Sequence, residues 1–170
     1  MTRPPRNLSA SVSQRLLNLT RQSGEDYQYV LMRYGLERMM FRFSRSKYAR
    51  QFVVKGAMLL RVWTSEQYRS TKDLDLLAIL DVSPEKLTEI FQEVCTLSVQ
   101  DDGLEFLGNT IRVSEIREDN AYGGLRVTLQ ARLGKIRIPC RSTLDSAMPL
   151  LLKRSRKSFQ HCSIFPLRYF

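Results

Sequence analysis

The nine residues Leu125-Arg126-Val127-Thr128-Leu129-Gln130-Ala131-Arg132-Leu133 alternate apolar and polar without a break. A strand sends successive side chains to opposite faces, so this run predicts a strand with one face on a core and the other in water. Gly134-Lys135 turns the chain, and Ile136-Arg137-Ile138 starts a partner strand. Such a hairpin cannot stand alone. Its apolar face needs a cover, and the rest of the chain must supply it.

Helical spacing upstream offers that cover. Val12, Leu16, Leu17 and Leu19 suit a short helix from Ala10 to about Arg21, ended by Gly24. Ser23, with Asp26 three residues on, resembles a capping box for a second helix from Glu25 to about Phe43. Tyr27, Val30, Leu31, Tyr34 and Met39 form its apolar stripe, and Arg33, Glu37, Arg38 and Arg42 are expected on the solvated side. Phe52-Val53-Val54 reads as a buried strand with Gly56 as its exit, and residues 57–63 have a helical composition. A second strand is expected from Asp73 to Leu80, then a helix capped by Asp81 or Ser83 with Pro84 in its first turn, running to about Leu97. A turn at 100–103, a strand at Thr110–Ile116 and a polar turn at 117–124 complete the order. Strand, helix, strand, helix and a β-meander predict a mixed β-sheet with flanking helices, an α/β or α+β domain.

Composition narrows the chemistry. One histidine, His161, and three widely spaced cysteines, Cys95, Cys140 and Cys162, argue against serine–histidine hydrolysis, a zinc knuckle or a disulfide framework. Carboxylates, lysines and arginines are left to do the work. No apolar run is long enough for a membrane span and the N-terminus lacks the apolar core of a secretory signal, so a cytoplasmic protein is expected. The formal net charge is +10, concentrated at the two ends. Basic ends fit a polyanion such as nucleic acid, and equally a solvated helix face with a basic tail.

The stretch from Phe52 to Leu80 carries the sharpest site signal. Asp73 and Asp75 are two apart on a strand, so they share a face about 7 Å apart. Two such carboxylates repel unless a cation lies between them. Magnesium suits them, because it takes oxygen ligands and leaves positions for phosphate and water. Upstream, Lys55-Gly56-Ala57 joins a strand to a helix, where a glycine lets backbone approach a phosphate and the helix start presents unpaired N–H groups. Lys55 and Lys72 could offset a triphosphate's charge. The same residues also read as a tight-turn glycine and two aspartates on a solvated strand edge.

In the order strand, glycine, helix, strand and Asp-x-Asp, these residues resemble the AbiEii/AbiGii toxin family of nucleotidyltransferases. The resemblance runs over "RYGLERMMFRFSRSKYARQFVVKGAMLLRVWTSEQYRSTKDLDLLAIL", "DDGLEF" and "IREDNAYGGLRVTLQARLG", about residues 12 to 139. It implies a polymerase β-like nucleotidyltransferase fold, a bacterial toxin–antitoxin setting with a cognate antitoxin, and nucleoside triphosphate binding with Mg2+. Some members transfer a nucleotide to transfer RNA. It maps the phosphate turn onto Gly56 and Ala57 and the first metal-binding carboxylates onto Asp73 and Asp75. The superfamily turn is typically Gly-Ser or Gly-Gly, so Ala57 brings no hydroxyl.

The resemblance predicts a further acid on a later strand, in a segment like Val-Asp-Ile-Gly-Phe-Gly-Asp. This chain instead reads "CRSTLDSAMPLLLKRSRKSFQHCSIFPLRYF" from Cys140. Read from the third base of Pro139, its degenerate codons permit Leu-Pro-Val-Asp-Ile-Gly-Phe-Gly-Asp-Ala-Val-Thr, which suggests a frameshift near that residue. The expected organisation is therefore an N-terminal helical segment at 1–50, a nucleotidyltransferase core at 51–139, and a basic, out-of-frame, disordered tail at 140–170. Such a chain would have an incomplete fold, a strand cut short at Pro139, no third carboxylate and little or no activity. A non-catalytic module gripping RNA or protein through Arg33, Arg38, Arg42, Arg45, Lys47 and Arg50 is the alternative, and a pseudogene product the dullest one.

Overall fold

The structure, a computed structural model, describes residues 7–58, 72–79, 82–116 and 124–146. Helix α1 (Leu8–Ser23) starts where the Asn7 side chain accepts the amide of Ala10 and stops at Gly24, whose φ of 70° is left-handed. Helix α2 (Tyr27–Arg45) is capped by Asp26, which accepts the Tyr29 amide. Ser23 is not its cap, because its hydroxyl accepts the Glu25 amide one turn too early. Strands β1 (Phe52–Lys55) and β2 (Leu74–Ala78) follow, then helix α3 (Pro84–Cys95), capped by Ser83. Strands β3 (Leu104–Ile116), β4 (Gly124–Leu133) and β5 (Ile136–Ser146) complete the described chain. Residues 56–58 are helical, as the composition predicts, whereas 59–63 and the turn expected at 117–123 lie outside the described residues.

The five strands form one mixed sheet in the order β1-β2-β5-β4-β3. Strand β2 pairs antiparallel with β1 and parallel with β5, and β4 pairs antiparallel with both β5 and β3. The alternating run at 125–133 is β4, and it sends Val127, Leu129, Ala131 and Leu133 into the core. Strand β3 is six residues longer at its start than the pattern predicts. A register shift between Leu107 and Arg112 breaks the alternation there. Thr110 patches the gap: its hydroxyl donates to the Leu107 carbonyl at 2.6 Å and accepts the Gln130 amide at 2.9 Å.

The three helices among the described residues cover one face, α2 on β5, α3 on β3 and α1 on β4. Phe43 of α2 meets Phe52 of β1 and Phe91 of α3 edge-on, with ring centroids 5.4 and 5.0 Å away. Such pairs add roughly 0.5–1.5 kcal/mol each beyond the area they bury. Leu74, Leu76 and Ala78 of β2 point into this core. Period-two geometry therefore turns Asp73, Asp75 and Leu77 to the opposite face, which carries no helix among the described residues.

Two further expectations are corrected. Arg33, Arg38 and Arg42 do not lie on a solvated side: they are 8%, 6% and 5% exposed. The reason is that α2 is packed on several sides, by α1, α3 and the sheet. Asp102, in the turn before β3, accepts Arg38 Nε at 2.7 Å and Arg42 Nη1 at 2.7 Å, and its backbone carbonyl accepts the Tyr34 hydroxyl at 2.7 Å. Glu25 takes Arg33 at 2.9 Å. Three of the six residues of the expected basic grip are thus committed to holding the fold.

The second correction concerns β5, which does not stop at Pro139. It runs to Ser146, with Cys140, Ser142 and Leu144 buried and Arg141, Thr143 and Asp145 on the helix-free face. The alternation is present, with a small serine at one buried position. Residues 142–146 pair with β2 and 140–144 with β4, so the central strand keeps its backbone partners. Residues 147–170, the rest of the expected tail, lie outside the described residues. No helix among the described residues is long and apolar enough to cross a membrane.

Candidate active site

The sheet face opposite the described helices can be read row by row from the strand register. Lys55, Asp75, Thr143, Arg126 and Ser114 lie across the sheet in one row. Thr128 stands opposite both Arg141 and Arg112 in a neighbouring row. Asp73 sits at the Arg141 end of that row, its Oδ1 accepting Arg141 Nε at 2.5 Å. Asp145 lies opposite Leu77, two residues beyond Thr143, and binds the Lys55 ammonium.

Gly56 closes the site at the end of β1. Its φ is 69°, a conformation that glycine adopts at little cost. A Cβ built on it would lie 2.2 Å from Asp75 Oδ2. The glycine thus makes room for the Asp75 carboxylate, a role beyond the expected backbone approach to phosphate. Ala57 continues into the helical turn and is half-buried, while Lys72 is exposed directly ahead of Asp73.

Of the residues expected in the site, Lys55, Gly56, Asp73 and Asp75 are brought together. Lys55 is spoken for by Asp145, so its charge is not freely offered to a phosphate. Two site residues were not foreseen. Asp145 and Arg141 come from the part of β5 that was expected to be lost, and the parallel register with β2 delivers them. The strand alternation from Ile136 to Asp145 was the signal that could have found them.

Electrostatically the site is crowded with acid. The Asp75 carboxyl is raised above the usual carboxylate range, first by burial, with Lys55 opposing and the charges of Asp73 and Asp145 adding to the rise. A cation beside it would relieve that cost. Among the described residues no three acidic, histidine or cysteine side chains close on a common metal position. Two same-face carboxylates therefore fit a magnesium ion completed by phosphate and water oxygens, and do not fit one caged by protein alone.

The third acid predicted beside the pair is absent at the paired position, because Thr143 stands opposite Asp75. The helix-free face next to the carboxylates is basic in return. Arg112, Arg126 and Arg141 lie by register in the rows of Asp75 and Asp73, whereas Arg132 and Arg137 stand at the far end of the same face, where Arg132 pairs with Glu105. Arg126 is half-buried, and its Nε has no hydrogen-bond partner among the described residues.

Comparison of the chain with curated proteins yields no significant match. The model of one protein family matches residues 38–147, more than half of the chain, from the middle of α2 to the end of β5. The chain belongs to that family, the nucleotidyl transferase AbiEii toxins of type IV toxin–antitoxin systems.

Proposed function

We propose that this toxin-family nucleotidyltransferase transfers a nucleotide from a nucleoside triphosphate to an RNA hydroxyl, with transfer RNA the leading acceptor and a cognate antitoxin as its partner. The observation that carries the reading is the placing of Asp73 and Asp75 on one sheet face, against the glycine turn that ends β1. Asp73 and Asp75 would hold Mg2+, which when bound supplies charge neutralisation at the phosphates. The turn at Gly56 and Ala57 would cradle the triphosphate through backbone N–H groups, with no hydroxyl to help. Lys55 and Lys72 would offset its charge, Lys55 after leaving Asp145.

In the reaction, the acceptor oxygen bonds to the α-phosphorus as the bond to pyrophosphate breaks. Arg112, Arg126 and Arg141 support an anionic acceptor, since they stand in the rows of the carboxylates on the same face. Arg126 Nε, buried and unpaired, would gain a partner from a phosphate oxygen there. The N-terminal grip keeps only Arg45, Lys47 and Arg50 at the surface, because Arg33, Arg38 and Arg42 are inside the fold.

With Thr143 where a third acid is expected, the activity of this chain should be low. The test is incubation of the protein with each labelled triphosphate, Mg2+ and total RNA, alongside Asp73→Asn and Asp75→Asn. Transfer lost in both variants supports the reading, and transfer unchanged in either contradicts it. A frame change near Pro139 is a separate proposal about the gene. Sequencing the locus tests it, and an intact frame without family-like codons downstream would exclude it.

A further inference from the structure

We infer that Arg141 is an internal counter-ion that holds Asp73 until a triphosphate draws it away, so that divalent cation and nucleotide enter this site together. The inference rests on the nucleotide-transfer reading and adds an order of binding to it.

Charge comes first. Asp73, Asp75 and Asp145 bring three carboxylates, while Lys55 and Arg141 bring two cations, each already bound to one of the acids. Two of the three acids are thus already paired before any metal arrives, and Asp75 carries the remaining charge. A bare divalent ion seeking both Asp73 and Asp75 competes with a guanidinium for Asp73 and receives no anion in exchange. An ion arriving with a triphosphate brings its own anionic oxygens, and these also give Arg141 somewhere to go.

The geometry of Arg141 suits that exchange. Only its Nε is engaged, at 2.5 Å from Asp73 Oδ1, and its terminal amino groups make no hydrogen bond among the described residues. Its side chain is 45% exposed, against 27% for Asp73. An exposed ion pair of this kind is weak and readily broken. A guanidinium fork binds phosphate oxygens through two parallel hydrogen bonds, so a triphosphate is the better partner. Lys55 cannot take over the role, because its register partner is Asp75 and its ammonium is bound to Asp145.

Mn2+ binding reads this directly, by electron paramagnetic resonance of the free ion, on wild type, Arg141→Gln and Arg141→Lys. Without nucleotide, Arg141→Gln should bind Mn2+ roughly two- to fivefold more tightly than wild type. It should also bind a non-hydrolysable triphosphate analogue more weakly. Arg141→Lys should match wild type for Mn2+. Unchanged Mn2+ and analogue affinities in Arg141→Gln would overturn the inference. Adding Asp73→Asn to Arg141→Gln should erase the gain in Mn2+ affinity. If Asp73→Asn and Asp75→Asn alter neither Mn2+ nor analogue binding in either background, the nucleotide site itself is misplaced. If they abolish binding while Arg141→Gln changes nothing, only the role of Arg141 fails.

Discussion

Gly56 and Asp75 share one space: the carboxylate of Asp75 occupies the position that a side chain on residue 56 would need, its Oδ2 2.2 Å from a built Cβ. Gly56→Ala should therefore destabilise in two ways. The φ of 69° costs a non-glycine residue about 1–2 kcal/mol, and the clash with Asp75 adds to it. For a chain of this size each kcal/mol lowers Tm by roughly 2–4 °C. Asp75→Ala removes the clash but not the backbone strain, so Gly56→Ala should cost less in that background. Thermal denaturation of the four proteins measures the difference, and equal losses in both backgrounds would refute the shared space.

Asp102 should make the fold acid-sensitive. Burial alone would raise its carboxyl, but the hydrogen bonds and charges of Arg42, and then of Arg38, outweigh burial and hold it below the ordinary range. A folded pKa below the unfolded one means stability is fully present above the unfolded value of about 4. It is lost as pH falls through the folded value. Asp102→Asn leaves two buried guanidinium groups without their anion and should cost about 3–5 kcal/mol at neutral pH. Urea denaturation between neutral and acid pH is the check. The wild-type curve should fall toward that of the variant, whereas parallel curves would show that Asp102 does not carry the dependence.

Local features of the fold and site were legible, and features made by distant pairing were not. Lys55, Gly56, Asp73 and Asp75 announce themselves because a strand exit, a glycine and a two-residue repeat are all short-range patterns. Arg141 and Asp145 reach the same place only through parallel pairing, from 68 and 90 residues away respectively from Asp73 and Lys55. The basic tail composition after Cys140 hid the alternation that places them. The arginines of α2 failed for a related reason. Arginine opposite an apolar stripe reads as solvent-facing, and Asp102, 60 residues beyond Arg42, together with the Arg38 and Leu104 carbonyls makes the burial of Arg42 tolerable. The start of strand β3 does not show in the pattern because its irregularity interrupts the two-residue period.

Cys95 and Cys140 should be unreactive in the native protein. Both thiols are free and both are pushed up to about 12, first by burial. The thiolate is the nucleophile, so almost none is present at pH 8. In a Cys162→Ser background, a thiol-specific disulfide reagent should label less than one group per chain at pH 8 over the time that free cysteine reacts fully. Denaturant should release two. Rapid labelling without denaturant would contradict the burial of these side chains.

Asp145→Asn should strengthen nucleotide binding in the absence of metal. Asp145 now binds the Lys55 ammonium and, with Asp73, adds negative charge beside Asp75. The amide removes one negative charge from the face that a triphosphate must approach and releases Lys55 toward it. An exposed pair of this kind is worth about 0–1 kcal/mol, so the gain should be no more than roughly fivefold. Titration with a fluorescent triphosphate analogue in chelator-treated buffer measures it. The Lys55→Met variant controls for the release, since Asp145→Asn should then give a smaller gain. Weaker analogue binding in Asp145→Asn would mean that the carboxylate assists the nucleotide instead of competing with it. In that case the pairing of Asp145 with Lys55 would have to be read as orienting the ammonium for phosphate.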